Sequence, residues 1–191
     1  MISNTERVLK LQKAYKLTWN HYNKKAVSRN AKLRHYNTVV LPEALYAAET
    51  TVIKGMTKIH DIEKQERKIL RKIYGAVLRD GIWIKRPTKE LYENTENITD
   101  KFRKRRLQFY GHQCRMDKSR LPKKIFNTVN ASKLKTNWMK ETQEDMELFK
   151  ISKDEIQNRQ QFRIKIRNKK IEQDSRNSIK KMDRGKEEKA Q

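Results

Sequence analysis

The sequence predicts a mainly α-helical protein, an irregular helical bundle interrupted by a short loop or hairpin connector. Five Gly and three Pro among 191 residues are too few for the many tight turns of a β architecture. Apolar residues recur every three or four positions along most of the chain, which is the spacing of one helix face. Two Ser-x-x-Glu sequences, Ser3–Glu6 and Ser152–Glu155, have the spacing of a capping box and predict helix starts.

Three helices are predicted in the first part of the chain. The first follows Ser3, and its apolar stripe consists of Val8, Leu11, Tyr15, Trp19 and Tyr22. The second begins near Ser28, and we expect Pro42 to kink or restart it because proline has no backbone N–H. The third runs from about Asp61 to Tyr74, where Gly75 is a natural C-terminal stop.

Residues 76–97 are predicted to form an irregular connector. Arg79-Asp80-Gly81 is a turn signal and Ile82-Trp83-Ile84 is a short β-prone run, so a small hairpin fits this segment. A fourth helix is expected from about Ile98 to Met116. Shorter helices are expected near Leu121-Pro122 and around Trp138–Phe149, and one helix after Ser152 should carry Ile156, Phe162 and Ile166.

The apolar pattern fails from about residue 168, which predicts a charged tail that is either disordered or a solvated helix. The predicted organisation is therefore a helical segment at 1–75, the connector at 76–97, a basic helical segment at 98–167 and the tail at 168–191.

The charge balance predicts a polyanionic partner. Lys and Arg number 47 against 23 Asp and Glu, which gives a net charge of +24. Such an excess opposes folding by self-repulsion, and a polyanion would relieve it, so RNA, DNA or an RNA–DNA hybrid is the expected partner. An anionic membrane surface is a weaker alternative, and a cationic protein with no dedicated partner is another. No small-molecule substrate is expected.

The sequence also predicts the compartment. It contains no apolar run of the length of a membrane span, and Met1 to Thr5 lack the apolar stretch of a secretory signal. Because Cys114 is the single cysteine, no internal disulfide can form, which fits a reducing compartment. We therefore expect a nuclear or cytoplasmic protein without a membrane partner.

The basic residues are densest in residues 101–124, where Asp117 is the only acid. On a helix, Phe102 and Leu107 are expected to face a core while the guanidinium groups point outward and grip phosphate oxygens. The alternative is a solvated helix face, which we disfavour because nearby acids are too few to pair with it. The predicted nucleic-acid-binding residues are Lys101, Arg103, Lys104, Arg105, Arg106, Arg115, Arg120, Lys123 and Lys124.

Aromatic side chains near this run, such as Phe109 and Tyr110, could stack on unpaired bases, as could the more distant Trp83 and Trp138. The helical spacing of most of them favours core packing instead.

The residue patterns of an active site are missing. Two-metal phosphoryl chemistry needs clustered carboxylates, and the sequence contains no Asp-Asp pair. Asp61, Glu63 and Glu66 lie among Lys and Arg, a pattern typical of ordinary ion pairing. His112 and Cys114 lack a second Cys/His pair that would complete a zinc site. The sequence therefore predicts neither a cofactor, a metal nor catalysis by this chain alone.

Four segments in order give the chain a family resemblance. Leu33–Pro42 with Leu45–Thr50, then Glu66–Gly75, then Arg105–Met116, and finally Asn137–Met146 resemble successive motifs beyond the palm of non-LTR retrotransposon endonuclease–reverse transcriptases of the insect type. The resemblance covers roughly residues 5–165. Two departures are Thr51, where the family usually has Trp, and Tyr110, where Trp-Ala is common.

The resemblance implies that the chain corresponds to the thumb and the region C-terminal to it, with 1–75 as the thumb-like segment. In that family the thumb is a helical bundle that grips the template–primer, and the catalytic palm precedes it. The expected function is therefore nucleic-acid binding by a fragment of an RNA-directed DNA polymerase that lacks its palm. Two alternatives stay open: part of an active polymerase whose palm lies upstream, and a non-functional or protein-interaction remnant.

The third alternative rests on the first helix. Its stripe of Val8, Leu11, Tyr15 and Trp19 would normally pack on the palm. If that stripe were left exposed, it would promote self-association.

Overall fold

The computed structural model describes residues 3–52, 56–93, 95–131 and 137–168. These residues are mainly helical, which confirms the predicted fold class. The predicted tail at 168–191 lies outside the described residues except for Asn168, which ends the last helix. The helices are α1 (Asn4–Leu17), α2 (Trp19–Asn23), α3 (Arg29–His35), α4 (Leu41–Leu45), α5 (Met56–Tyr74), α6 (Thr88–Leu91), α7 (Ile98–Arg115), α8 (Leu121–Ala131), α9 (Asn137–Phe149), α10 (Lys153–Gln157) and α11 (Arg159–Asn168).

The chain divides into two compact units. The N-terminal unit comprises Met1–Ala48 and Thr57–Lys101, and the C-terminal unit comprises Glu49–Met56 and Phe102–Gln191. Within the described part of the chain, no helix is both long enough and apolar enough to cross a membrane.

In the N-terminal unit, α1 packs on α4 and on the π-helical turn Tyr36–Val40 that precedes it. Ser3 begins α1 as predicted, because its Oγ accepts a hydrogen bond from the Glu6 N–H at 3.1 Å. Leu11 is fully buried, whereas Leu9 and Leu17 are 59% and 77% exposed. Leu11, at the centre of the predicted stripe, is thus covered inside the unit.

Pro42 restarts the helix, as the sequence predicts. The π-helical turn Tyr36–Val40 lies directly before it, and Pro42 occupies the first turn of α4. A widened turn there accommodates the ring and the missing N–H of proline. The other end of α4 is held by Arg7, whose buried guanidinium donates to the carbonyl oxygens of Ala44 at 2.8 Å and Ala47 at 3.2 Å.

The centre of the N-terminal unit contains a buried carboxylate. Glu66 on α5 is fully buried and accepts hydrogen bonds from the hydroxyls of Tyr36 (3.2 Å) and Tyr92 (2.9 Å) and from the Ile98 N–H (3.0 Å). One turn earlier, Glu63 accepts from Thr99 Oγ1 at 2.9 Å. The expectation of ordinary ion pairing for these acids is wrong for Glu66, because this carboxylate satisfies donors at the start of α7.

The connector contains the predicted hairpin, formed by β1 (Val77–Arg79) and β2 (Ile82–Ile84). The strands are antiparallel, and Leu78 lies opposite Trp83. Asp80 and Gly81 form the turn with φ of +49° and +77°. Positive φ at both central residues is the type I′ geometry for which Asp-Gly is favoured.

The C-terminal unit has its own apolar core, built on α7, α9 and the two last helices. Its buried members are Leu107, Met146, Phe149, Ile151, Ile156, Phe162 and Ile166. Gly111 on α7 allows the closest approach in this core, since a Cβ there would lie 2.5 Å from Phe162 Cε1.

The last part of the C-terminal unit departs from the prediction. The capping box of Ser152 and Glu155 is present, but the expected single helix is two helices. Asn158 separates them, because its extended backbone ends α10 while its Oδ1 accepts from the N–H groups of Gln160 and Gln161 and begins α11.

Candidate nucleic-acid interface

The basic run at the start of α7 is largely engaged inside the C-terminal unit. Arg106 is buried, and its guanidinium donates to Asp145 Oδ2 at 2.7 Å, to the Thr51 carbonyl at 3.1 Å and to Glu141. Arg103 lies 3.4 Å from Asp145 Oδ1. The expectation that nearby acids are too few to pair with these guanidinium groups is wrong, because α9 supplies two acids to them.

Two further predicted residues bind carbonyl groups. Lys104 is buried and its Nζ donates to the Arg167 carbonyl at 3.0 Å. Lys123 is also buried, and its Nζ donates to the carbonyls of Gln113 and Cys114, both at 2.9 Å. Both side chains therefore satisfy helix carbonyls, and Lys123 does so at the C-terminal end of α7, where a cation is most favourable.

Lys101 belongs to the N-terminal unit. Its Nζ is buried and has no hydrogen-bond partner among the described residues. Burial lowers the pKa of Lys101, and the nearby charge of Glu66 opposes that change. Its position beside the buried carboxylate makes it a poor contact for a phosphate in solvent.

The remaining predicted residues reach solvent. Arg105, Arg120 and Lys124 are exposed, and Arg115 is half-buried. Of these, Arg115 and Arg120 line a cleft of about 690 Å³, which we call the arginine cleft. Its cationic and titratable lining residues are His112, Arg115, Arg120, Arg159 and Arg163.

Each side of the arginine cleft comes from a different element of the C-terminal unit. His112 and Arg115 end α7, Arg120 precedes α8, and Arg159 and Arg163 lie one turn apart on α11. Residues four apart share a helix face, so both arginines of α11 point to the same side. Sequence reasoning missed these two arginines. The only signal was their i, i+4 spacing beyond the densest basic run.

Arg115 is held in a fixed orientation at the cleft. Its Nη1 donates to the Ile156 carbonyl at 2.6 Å, and its guanidinium lies 5.4 Å from the centre of the Phe162 ring. Burial lowers the pKa of Arg115, and the positive charge of Arg159 lowers it further. Two guanidinium groups therefore repel each other across the cleft, an arrangement that a bound anion would relieve.

Asp117 is the one acid among the described residues that line the cleft, and it already has donors. Its carboxylate accepts from the Ser119 N–H at 2.7 Å, and the hydrogen bonds from Ser119 lower its pKa. Asp117 thus shapes the turn between α7 and α8. The balance of the cleft is strongly cationic.

No protein-family model, curated protein or solved structure matches this chain. Within the residues that the structure describes, no group of three or more His, Cys, Asp or Glu side chains could hold a metal ion.

Proposed function

We propose that this chain binds the phosphate backbone of nucleic acid, and that the residues of the arginine cleft make the contact. The observation that carries the proposal is the convergence of Arg115, Arg120, Arg159 and Arg163 on one cleft, where Asp117, the one acid among the described lining residues, accepts a hydrogen bond from Ser119. Guanidinium groups donate in a planar fork that matches phosphate oxygens. A volume of about 690 Å³ lies within the roughly 300–1,000 Å³ of ligand sites.

The proposal narrows the predicted set of contact residues. Arg103, Lys104, Arg106 and Lys123 have intramolecular partners that phosphate would have to displace. Arg115 and Arg120 keep their assignment, Lys124 and Arg105 add exposed charge, and Arg159 and Arg163 join them.

The parent protein is also a matter of proposal. The ordered resemblance over residues 5–165 supports a fragment of a retrotransposon reverse transcriptase, with a template–primer duplex or RNA as the natural ligand. Catalysis would then reside in a palm outside this chain. Three of the buried acids, Glu66, Glu141 and Asp145, are hydrogen-bonded within their units, which fits structural roles.

The test measures binding of a labelled RNA hairpin, a DNA duplex and an RNA–DNA hybrid at several salt concentrations by fluorescence anisotropy. The double variant Arg159→Gln/Arg163→Gln should weaken binding and make the log–log salt slope shallower by about 1.4–1.8, from two lost phosphate contacts.

The matched control is Lys64→Gln/Lys68→Gln. These two exposed residues lie four apart on α5, so the control removes the same charge at the same spacing. The control should keep the wild-type slope. Equal losses in both variants would mean that only net charge matters, and salt-independent binding would contradict the proposal altogether.

Protein interaction is a second candidate, favoured by one observation. Leu9 and Leu17 are exposed apolar side chains on one face of α1, and Gln12, Lys13 and Lys16 lie on the same face. This candidate would be supported if the sedimentation coefficient of the wild type rises with concentration and that of the variant Leu9→Ser/Leu17→Ser does not. A monomer that melts cooperatively at all concentrations would count against it.

A further inference from the structure

The hairpin of β1 and β2 presents an apolar surface that the N-terminal unit does not cover. Trp83 is 71% exposed, Ile82 66% and Leu78 53%. Because Leu78 lies directly opposite Trp83, both side chains stand on the same face of the hairpin. An indole that is mostly exposed contributes little to folding, so its exposure calls for another explanation.

The base of the hairpin is firmly attached, so the exposure does not come from a loose segment. Arg86 donates to the Gly75 carbonyl at 3.3 Å and to Glu90 at 3.0 Å. Arg71 donates to the Arg86 carbonyl at 3.3 Å, and Arg79 pairs with Glu90. Together with the type I′ turn, these bonds fix the direction in which Trp83 projects.

A cation close to Trp83 in sequence indicates the kind of partner that this face fits. Lys85 is exposed and follows directly on the end of β2, two residues after Trp83. The acid nearest along the helix that follows, Glu90, is already shared by Arg79 and Arg86. An exposed indole close in sequence to an exposed ammonium group suits a ligand that combines a flat ring with a phosphate.

We propose that the hairpin is a second nucleic-acid contact, in which an unpaired base stacks on Trp83 and its phosphate pairs with Lys85. The inference rests on the proposed nucleic-acid binding and adds a preference for unpaired nucleotides. The arginine cleft would bind the phosphate backbone of single-stranded and double-stranded nucleic acid alike. A base can stack on Trp83 only if it is unpaired.

The experiment compares single-stranded oligo(U) and oligo(dT) with a blunt duplex of the same length. Trp83→Ala should weaken single-strand binding about tenfold or more, the range for one lost base stack, and leave duplex binding unchanged. Trp83→Phe should restore most of the affinity. Oligonucleotide should also quench tryptophan fluorescence in the wild type more strongly than in Trp83→Phe.

The matched control is Ile82→Ala, which removes an equally exposed apolar side chain from the other face of the same hairpin. It should leave single-strand affinity unchanged, and circular dichroism of each variant should match the wild type. Equal single-strand affinity of wild type and Trp83→Ala would overturn the inference, as would equal losses for Trp83→Ala and Ile82→Ala.

Failure of this inference is distinguishable from failure of the proposed function. If Arg159→Gln/Arg163→Gln weakens binding while Trp83→Ala does not, the cleft stands and the hairpin contact falls. If Trp83→Ala instead lowers binding only to vesicles of anionic lipid, the hairpin is a membrane contact and the base-stacking inference is overturned.

Discussion

Two basic regions of the C-terminal unit differ in whether their arginines are paired with carboxylates. Arg103 and Arg106, at the start of α7, are paired with Asp145 and Glu141 of α9. Arg115 at the end of the same helix has a carbonyl and an aromatic ring as neighbours, and two further arginines face it from α11. The difference teaches that a run of cations stays available to a ligand only where folding does not pair it with carboxylates.

The sharpest way to break this comparison is Arg106→Ala. Removing the guanidinium takes from the buried Asp145 and Glu141 the arginine that they share, so we expect the free energy of unfolding to fall by about 3–5 kcal/mol. Urea denaturation followed by circular dichroism measures the loss.

The triple variant Arg106→Met/Glu141→Gln/Asp145→Asn tests the reason for that loss. It removes both the cation and the uncompensated charges, so it should recover much of the stability. If Arg106→Ala lowers the free energy of unfolding by less than about 0.5 kcal/mol, this arginine contributes no more to stability than an ordinary surface residue.

Lys123 and Lys124 repeat the comparison at neighbouring positions. Lys123→Met should cost about 1.5–3 kcal/mol, because the Gln113 and Cys114 carbonyls lose a charged donor. Lys124→Met, at an exposed position, should change stability by less than about 0.5 kcal/mol. Thermal melts of the two variants side by side give the difference, and equal melting temperatures would contradict the assignment.

Gly111→Ala tests how the core supports the cleft. The added Cβ would meet the Phe162 ring, so we expect a loss of about 1–3 kcal/mol from overpacking. Because Phe162 also underlies Arg115, the variant should weaken nucleic-acid binding even at temperatures where it is fully folded. Anisotropy titration at low temperature separates the two effects, and unchanged affinity would show that Phe162 does not position Arg115.

The smallest effect concerns Glu66, a buried carboxylate held by hydroxyl and amide donors. Burial raises its pKa above the usual range. The folded state therefore binds the Glu66 proton more tightly than the unfolded state, and stability from this group declines as pH rises from the usual pKa through the raised value.

Glu66→Gln removes this dependence. We expect Glu66→Gln to be more stable relative to wild type at pH 7 than at pH 4, that is, its free energy of unfolding minus that of wild type should be larger at pH 7. Urea denaturation at both pH values measures that difference. A difference of the opposite sign would mean that the hydrogen-bond donors around Glu66 lower its pKa by more than burial raises it.

Local patterns predicted most of the helices because their causes are local. Ser3, Ser152, Pro42 and Gly75 act within a few residues of their positions, and the Asp80-Gly81 turn does the same for the hairpin. The sequence prediction misses Asn158, although its signal is equally local, because it places Ile156, Phe162 and Ile166 on one helix.

The site was less predictable because its determinants are far apart in sequence. Arg106 meets Glu141 and Asp145 across separations of 35 and 39 residues, and no spacing rule connects them. Arg159 and Arg163 join Arg115 only after α11 folds back on α7. Charge density located the right helix, and tertiary structure decided which of its cations remain available.

The hydrogen bond from the Ile98 N–H to Glu66 has a consequence for native-state hydrogen exchange. The first amides of a helix usually exchange readily because no carbonyl of the same helix precedes them. Here the first amide of α7 donates a hydrogen bond to the Glu66 carboxylate, which also accepts hydrogen bonds from two tyrosine hydroxyls. Its deuterium uptake therefore reports the opening of the whole N-terminal unit rather than the fraying of one helix end.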